Sequence, residues 1–146
     1  MNNIIKFKTR MTAIQLVAQQ LIDYKDINLI KDDFDKYYKN TVIYENADII
    51  QYNDAFLLKL ISFYQKANFQ ELSNEINNII DFNRKFEKWD TITKSIILVS
   101  ISELRNSKKE QIKIILNDYL DISKSFVNIK ETKLINSILD KLINDK

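Results

Sequence analysis

Residues 91–105 read TITKSIILVSISELR, and the apolar residues of this segment indicate how the chain folds. When it is drawn as a helix, Ile96 and Ile97 lie on one side, and Leu98 and Val99 lie on the other. A helix that is apolar on nearly all sides is covered by neighbours from several directions. We therefore predict a central, buried helix over 91–105, with the rest of the chain packed around it.

Six further stretches carry apolar residues three and four positions apart, which is the spacing of one buried helix face. In the first stretch this stripe consists of Met11, Ile14, Val17 and Leu21. Isoleucine is β-branched and mildly favours strands, but the length of the stretches and the absence of glycine-containing hairpin turns favour helices. The pattern predicts helices over 4–24, 29–44, 47–66, 69–87, 108–123 and 129–144.

The chain has 146 residues and contains no glycine, proline, cysteine or histidine. Without glycine and proline, its connections depend on polar helix caps. Asn68, Ser107 and Asn128 each precede a glutamate by three residues, which is the spacing of a capping box. Asp90 is a simple N-cap, and Asp26 or Asn28 starts the second helix. Asparagine also tolerates the left-handed conformation, which we predict at Asn40, Asn68 and Asn106.

These elements predict an all-α fold of about seven helices, arranged as antiparallel α-hairpins in one domain over 1–146. From residue 47 onward the helix starts recur about every 20 residues, a rhythm typical of a helical-repeat array. A compact bundle with ordinary helix lengths is the alternative. The last helix has a wide apolar face that includes Leu134, Ile138 and Leu142. This face can form a symmetric homodimer or close the fold.

The composition excludes most kinds of active site. Without cysteine and histidine there is no zinc site, catalytic thiol or Ser-His-Asp triad, and without glycine there is no phosphate-binding loop. The remaining catalytic hypothesis uses carboxylates one helical turn apart to hold Mg²⁺, namely Asp32 with Asp35 and Asp118 with Asp121. A solvated helix face explains these pairs more simply. We expect no enzymatic activity, no cofactor and no metal site.

The charges are almost balanced, with 22 lysines and arginines against 20 aspartates and glutamates. Because nucleic-acid binding depends on clustered positive charge, we expect no direct contact with nucleic acid, and we interpret Lys6, Lys8 and Arg10 as a solvated helix face. No apolar run approaches the length of a membrane span, and the N-terminus lacks the pattern of a secretory signal. We therefore expect no membrane contact and a cytoplasmic protein.

Aromatic and amide side chains supply the candidate binding residues. Tyrosine and tryptophan are over-represented at binding hot spots, which singles out Tyr37, Tyr38, Tyr64 and Trp89. Packing at the edge of the core, with the polar tip exposed, is the alternative for these side chains. Asn77 lies on a polar helix face, where it can bind a peptide backbone or simply be solvated.

The stretch from Phe69 to Asp90 contains a short acid-containing helix, followed by a tryptophan, Trp89, that opens a long apolar helix. This arrangement resembles the C-terminal helical-repeat domain of Rgg/MutR-type transcription regulators, over roughly residues 50–126. The resemblance implies a ligand-binding and dimerising portion without its DNA-binding domain. It also implies a short peptide ligand in the concave face of the repeats.

The sequence thus favours a non-enzymatic helical binding module of bacterial or phage origin that recognises a peptide or protein, such as a regulator lacking its DNA-binding domain. The alternative is a small helical immunity protein or phage-encoded inhibitor that blocks one protein target. A concave pocket suits the first hypothesis, whereas a convex or edge patch suits the second.

Overall fold

The structure, a computed structural model, describes residues 1–37, 51–80 and 84–144. These ranges contain helices and no strand, so the all-α prediction is confirmed. The helices are α1 (Asn3–Asp23), α2 (Ile27–Tyr37), α3 (Asp54–Lys66), α4 (Phe69–Ile79), α5 (Thr91–Leu104), α6 (Ile112–Phe126) and α7 (Ile129–Asn144), with short 3₁₀ turns at Phe86–Lys88 and Lys109–Gln111.

Helix α5 is the central element, as its sequence predicts. It packs against α1, α3, α6 and α7, and it is buried from Ser95 to Leu104. Its serines fit this environment because each donates a hydrogen bond to a backbone carbonyl of the preceding turn, as Ser100 does to Ile96 and Ser102 does to Leu98. Buried hydroxyls that are satisfied in this way cost little free energy.

Two pairs of hydrogen bonds give the direction of four helices. The amide of Asn53 donates to Thr9 Oγ1, and Tyr64 donates to Gln20, so α1 and α3 run in the same direction. Thr93 donates to Glu131 and Arg105 donates to the carbonyl of Leu142, so α5 and α7 also run in the same direction. Apolar side chains from all seven helices form one continuous core, which favours the compact bundle over the open array.

Three of the predicted caps are present. Asn68 accepts from the amide of Glu71, Asn128 from that of Glu131, and Asp90 from that of Thr93. The capping box at Ser107 is wrong, because the hydroxyl of that residue donates to the carbonyl of Glu103. A 3₁₀ turn therefore follows α5, and α6 begins only at Ile112.

The predicted left-handed residues are also wrong where the structure describes them. Asn68 has φ −88°, because the cap position requires an extended backbone. The side-chain amide of Asn106 donates to the carbonyl of Ser102, and the φ of Asn106 is not positive. Among the described residues only Tyr24 has a positive φ, of 57°, where its N–H closes the last turn of α1. Asn40 lies outside the described residues.

Within the described ranges α3 is shorter than predicted, whereas α2 begins earlier than predicted, at Ile27, and continues to Tyr37, the last residue described before 51. Asp26, not Asn28, starts α2, since its carboxylate accepts from the amide of Asn28 and its carbonyl accepts from that of Ile30. Helix α3 begins at Asp54, because Asn53 caps it by accepting from the amide of Phe56. The predicted helical parts over 38–44 and 47–50 lie outside the described residues.

Helix α7 uses its apolar face inside the chain. Ile135, Ile138, Leu139 and Leu142 are buried in the core, so this face closes the fold, which was one of the two roles predicted for it. Within the described ranges, every helix is too short or too polar to cross a membrane.

Candidate functional site

A buried cation lies where α1 meets α5 and α6. Arg10 donates from Nε and Nη2 to the two carboxylate oxygens of Glu103, at 2.8 and 2.7 Å, and from Nη1 to Asp118 at 2.6 Å. The Arg10 side chain is only 7% exposed. Burial alone would lower the pKa of the guanidinium, but the Glu103 and Asp118 carboxylates outweigh it and raise the pKa. Arg10 is therefore a permanently charged link between three helices.

Aromatic rings enclose the same guanidinium. The Arg10 Cζ atom lies 5.2 Å from the ring centroid of Phe56 and 5.6 Å from that of Tyr119. The hydroxyl of Tyr119 is buried and donates to Glu103 at 2.6 Å. Burial raises the pKa of this hydroxyl, and the Glu103 charge raises it further. We call Arg10, Glu103, Asp118 and Tyr119 the Arg10 network.

The interpretation of Arg10 as part of a solvated face is wrong, although the sequence contained a signal for its burial. Arg10 lies four residues before Ile14 and seven before Val17, on the apolar stripe of α1. A charge on a buried stripe needs a partner of opposite sign. Glu103, four residues after Val99 on the most apolar helix, carries the same signal in α5.

The start of α1 carries positive charge that acidic residues do not balance. The first acidic residue of the chain is Asp23, the last residue of α1. Since Arg10 points inward, Lys6 and Lys8 are the cations left near the surface. Both are half-buried, and neither forms an ion pair with a residue that the structure describes. These two lysines are therefore the cations of α1 that we consider as candidate contacts for an anionic ligand.

The candidate residues predicted from the sequence do not gather at one place. The Tyr64 hydroxyl donates to Gln20 and ties α3 to α1, and burial raises its pKa. Asn77 accepts from the amide of Phe86 and donates to Glu87, so it holds the 3₁₀ turn against α4. Both side chains are therefore engaged within the fold.

The other candidate aromatic residues differ in their surroundings. Trp89 is half-buried, packs edge-on against Phe86 at 5.4 Å and donates from Nε1 to the carbonyl of Arg84. Tyr37 is 60% exposed at the end of α2, with the Lys36 ammonium over its ring. Tyr38 lies outside the described residues. Of these residues, Tyr37 presents the most free surface to a partner.

Three of the four carboxylates proposed for Mg²⁺ form ion pairs within the chain. Asp118 binds Arg10, Asp35 binds Lys31, and Asp121 lies 3.3 Å from Lys124. The described ranges contain no cluster of three residues suited to a metal ion. The pairing of three of these four carboxylates with cations argues against this hypothesis.

A cleft of about 300 Å³ lies between the end of α3, α4 and the end of α5. Arg105 forms hydrogen bonds from both terminal nitrogens to Glu75 along one wall, and two further charged residues, Lys66 and Glu71, are among those that line the cleft. This mixed charge differs from the predominantly apolar lining typical of small-ligand pockets.

Comparison with known proteins identifies the family. The model of the NusB family matches residues 8–144, which covers nearly the whole chain, including most of α1 and all of α2 to α7. The chain belongs to the NusB family. Members of this family are non-enzymatic, which agrees with the expected absence of enzymatic activity.

Individual NusB relatives match over similar lengths. The transcription antitermination protein NusB of Bartonella quintana is 26% identical over 136 residues, which cover 91% of this chain and 84% of the relative. The protein of the same name from Rickettsia felis is 26% identical over 141 residues, which cover 93% of this chain and 89% of the relative.

Membership of the NusB family overturns two expectations. The resemblance to Rgg/MutR-type regulators is wrong, because the NusB match spans the same stretch from Phe69 to Asp90. The described residues of that stretch form a helix, a 3₁₀ turn and a helix cap, a combination that unrelated helical proteins can share. The expected lack of direct contact with nucleic acid is also wrong for this family, because NusB proteins bind boxA RNA directly. The nearly balanced net charge did not reveal this, because it sums the charges of the whole chain and does not show where the basic residues lie.

The coarser functional prediction, a non-enzymatic helical binding module, agrees with the NusB family. A peptide-binding regulator and a helical-repeat protein find no support in it. The alternative of an immunity or inhibitor protein has no counterpart among the relatives described above.

Proposed function

We propose that this chain is a transcription antitermination factor that binds boxA RNA and the protein NusE, as NusB proteins do. The observation that carries the proposal is the family match over residues 8–144. A role in bacterial transcription also agrees with the cytoplasmic location expected from the sequence.

The start of α1 is the surface that we assign to the RNA phosphates. Lys6 and Lys8 supply cations there, and no acidic residue precedes Asp23. The backbone N–H groups at the start of a helix add partial positive charge, although the Asn2 side chain already accepts from one of them, that of Ile5. Phosphate contacts of this kind contribute much of the affinity of proteins for nucleic acids.

The test is a fluorescence-anisotropy titration of labelled boxA RNA, and of a scrambled RNA of equal length, at several salt concentrations. We expect boxA RNA to bind more tightly than the scrambled RNA. Affinity falls as salt rises, and each contact with a phosphate of single-stranded RNA adds about 0.7 to the steepness of the plot of log affinity against log salt concentration. Loss of two such contacts should therefore make the plot less steep by about 1.4. We expect this decrease for the double variant Lys6→Gln/Lys8→Gln.

The matched control is Lys85→Gln/Lys88→Gln, which removes the same charge from exposed lysines at the 3₁₀ turn before α5. We expect its salt slope to equal that of the wild type. Size-exclusion chromatography with purified NusE tests the protein partner, and a stoichiometric complex is the expected result. The proposal fails if the wild-type chain does not bind boxA RNA, and its protein part fails if no complex with NusE forms.

A further inference from the structure

Arg10 contacts residues of α3, α5 and α6 from its position on α1. It reaches Glu103 and Asp118 through hydrogen bonds and stacks near Phe56 and Tyr119. The Arg10 side chain is only 7% exposed, and each of its three guanidinium nitrogens donates to a carboxylate, so the guanidinium is engaged inside the fold. Arg10 therefore differs from Lys6 and Lys8, although all three lie in one basic segment.

The first two turns of α1 extend ahead of this enclosed site. Residues before Thr9 are exposed or half-buried, and burial becomes complete only at Thr9 and Arg10. Thr9 is fixed from a second side, because its hydroxyl accepts from the amide of Asn53 at 2.9 Å. The direction in which α1 leaves the core is thus set at these two residues. That direction in turn sets where Lys6 and Lys8 place their ammonium groups.

We propose that Arg10, held by Glu103 and Asp118, is a positioning residue for RNA binding: it fixes the start of α1 so that Lys6 and Lys8 meet the phosphates, and it does not touch the RNA. This inference rests on the function proposed above. It assigns two different roles within one short run of basic residues.

The chemistry of the Arg10 network suits the positioning of α1 better than the stabilisation of the fold. A buried ion pair often adds no stability relative to apolar side chains of similar volume. Apolar contacts would, however, allow α1 to rotate or slide by small amounts. The two-pronged bond between a guanidinium and a carboxylate has one preferred geometry, and here Asp118 and two rings restrict it further. The network therefore specifies an orientation.

An apolar version of the network separates the two roles. The variant Arg10→Met/Glu103→Leu/Tyr119→Phe replaces the buried polar groups with side chains of similar volume, and Asp118 can be hydrated because its side chain is 29% exposed. We expect the midpoint of urea unfolding to stay near that of the wild type. The dissociation constant for boxA RNA should rise about tenfold, because both lysines lose their register with the phosphates.

A double-mutant cycle then tests whether the effect passes through the lysines. In the wild-type background we expect Lys6→Gln/Lys8→Gln to weaken RNA binding. In the apolar variant we expect the same two substitutions to weaken RNA binding by less than about twofold, because the effects of substitutions at coupled residues do not add. Unchanged RNA affinity in the apolar variant would overturn the inference. Full additivity of the two sets of substitutions would also overturn it, because Arg10 would then act independently of the lysines.

A milder variant keeps the inference testable if the apolar variant does not fold. Asp118→Asn removes one partner of Arg10 at a partly exposed position and leaves the Glu103 pair in place. We expect it to weaken RNA binding about two- to threefold and to be less than additive with Lys6→Gln/Lys8→Gln. If the losses caused by Asp118→Asn and by the lysine variant simply add, the inference is wrong.

The control for general destabilisation is Lys31→Met. Lys31 is a buried cation with two carboxylate partners, Asp35 and Asp54, and it joins α2 to α3. We expect Lys31→Met to lower the urea midpoint and to leave the RNA affinity of the folded protein unchanged. If the wild-type chain does not bind boxA RNA, the proposed function is contradicted. If the wild-type chain binds boxA RNA and the apolar variant binds it equally tightly, only the inference about Arg10 is contradicted.

Discussion

Glu103 receives hydrogen bonds from two residues that reach it from different helices. Arg10 donates to both of its oxygens, and the Tyr119 hydroxyl donates to one of them. The carboxylate is therefore satisfied although its side chain is only 6% exposed. Removing one partner from such a group leaves a buried charge without compensation, which typically costs about 3–5 kcal/mol. The individual residues of this network thus depend on one another.

The raised pKa of Tyr119 predicts how stability changes at alkaline pH. A tyrosine in the unfolded chain ionises at about pH 10. In the folded protein, burial and the Glu103 charge raise the pKa of Tyr119 above that of an unfolded tyrosine. Its contribution to stability is therefore complete below about pH 10 and is lost as the pH rises further. One such group lowers the free energy of unfolding by up to about 1.4 kcal/mol per pH unit.

Urea unfolding between about pH 9 and pH 11.5 measures this dependence. We expect Tyr119→Phe to show a shallower decline than the wild type, because the ionisable group is gone. Lys31, whose pKa is also raised by its carboxylate partners despite its burial, adds a decline of the same sign to both proteins. Tyr37→Phe changes an exposed side chain and serves as the control with the wild-type slope. Identical slopes for Tyr119→Phe and the wild type would contradict the prediction.

Helix ends show where local sequence is sufficient. Asn68 and Asn128 cap α4 and α7 as predicted, because a cap needs only its own side chain and an amide three residues on. Ser107 has the same spacing to a glutamate, but its hydroxyl donates back to Glu103. The hydroxyl therefore bonds to the last turn of α5, which is held in the core, and does not cap the following helix.

This difference gives a prediction for three alanine substitutions. Asn68→Ala and Asn128→Ala each remove a true cap and should lower the free energy of unfolding by about 1 kcal/mol. Ser107→Ala removes only a bond to a carbonyl one turn back and should change it by about 0.5 kcal/mol or less. Urea denaturation followed by circular dichroism measures all three. If Ser107→Ala costs as much as Asn68→Ala, then Ser107 caps α6 in solution.

At the scale of the molecule, α5 is the element around which the others pack. Four helices cover it, whereas α2 buries only Ile27, Ile30 and Lys31 and packs mainly against α1. Elements with few buried contacts open locally before the whole protein unfolds. The described part of the chain therefore combines a protected centre with a less protected second helix.

Hydrogen exchange followed by mass spectrometry tests this order of stability. We expect the amides of α5 from Ser95 to Leu104 to exchange only through global unfolding. The amides of α2 should exchange through local opening, at least about tenfold faster. Equal protection of α2 and α5 would show that α2 opens only when the whole protein unfolds.

Residue types and local spacings were sufficient to predict the all-α class, the central position of α5, the caps at Asn68, Asp90 and Asn128, and the exclusion of cysteine and histidine chemistry. Each of these follows from residue types or from spacings within a few turns, which backbone hydrogen bonding and periodic burial enforce locally. The burial of Arg10 and the engagement of Asn77 were decided only by the tertiary structure. Arg10 and Glu103 lie 93 residues apart, and whether a charge on α1 faces water or a carboxylate depends on where three other helices pack.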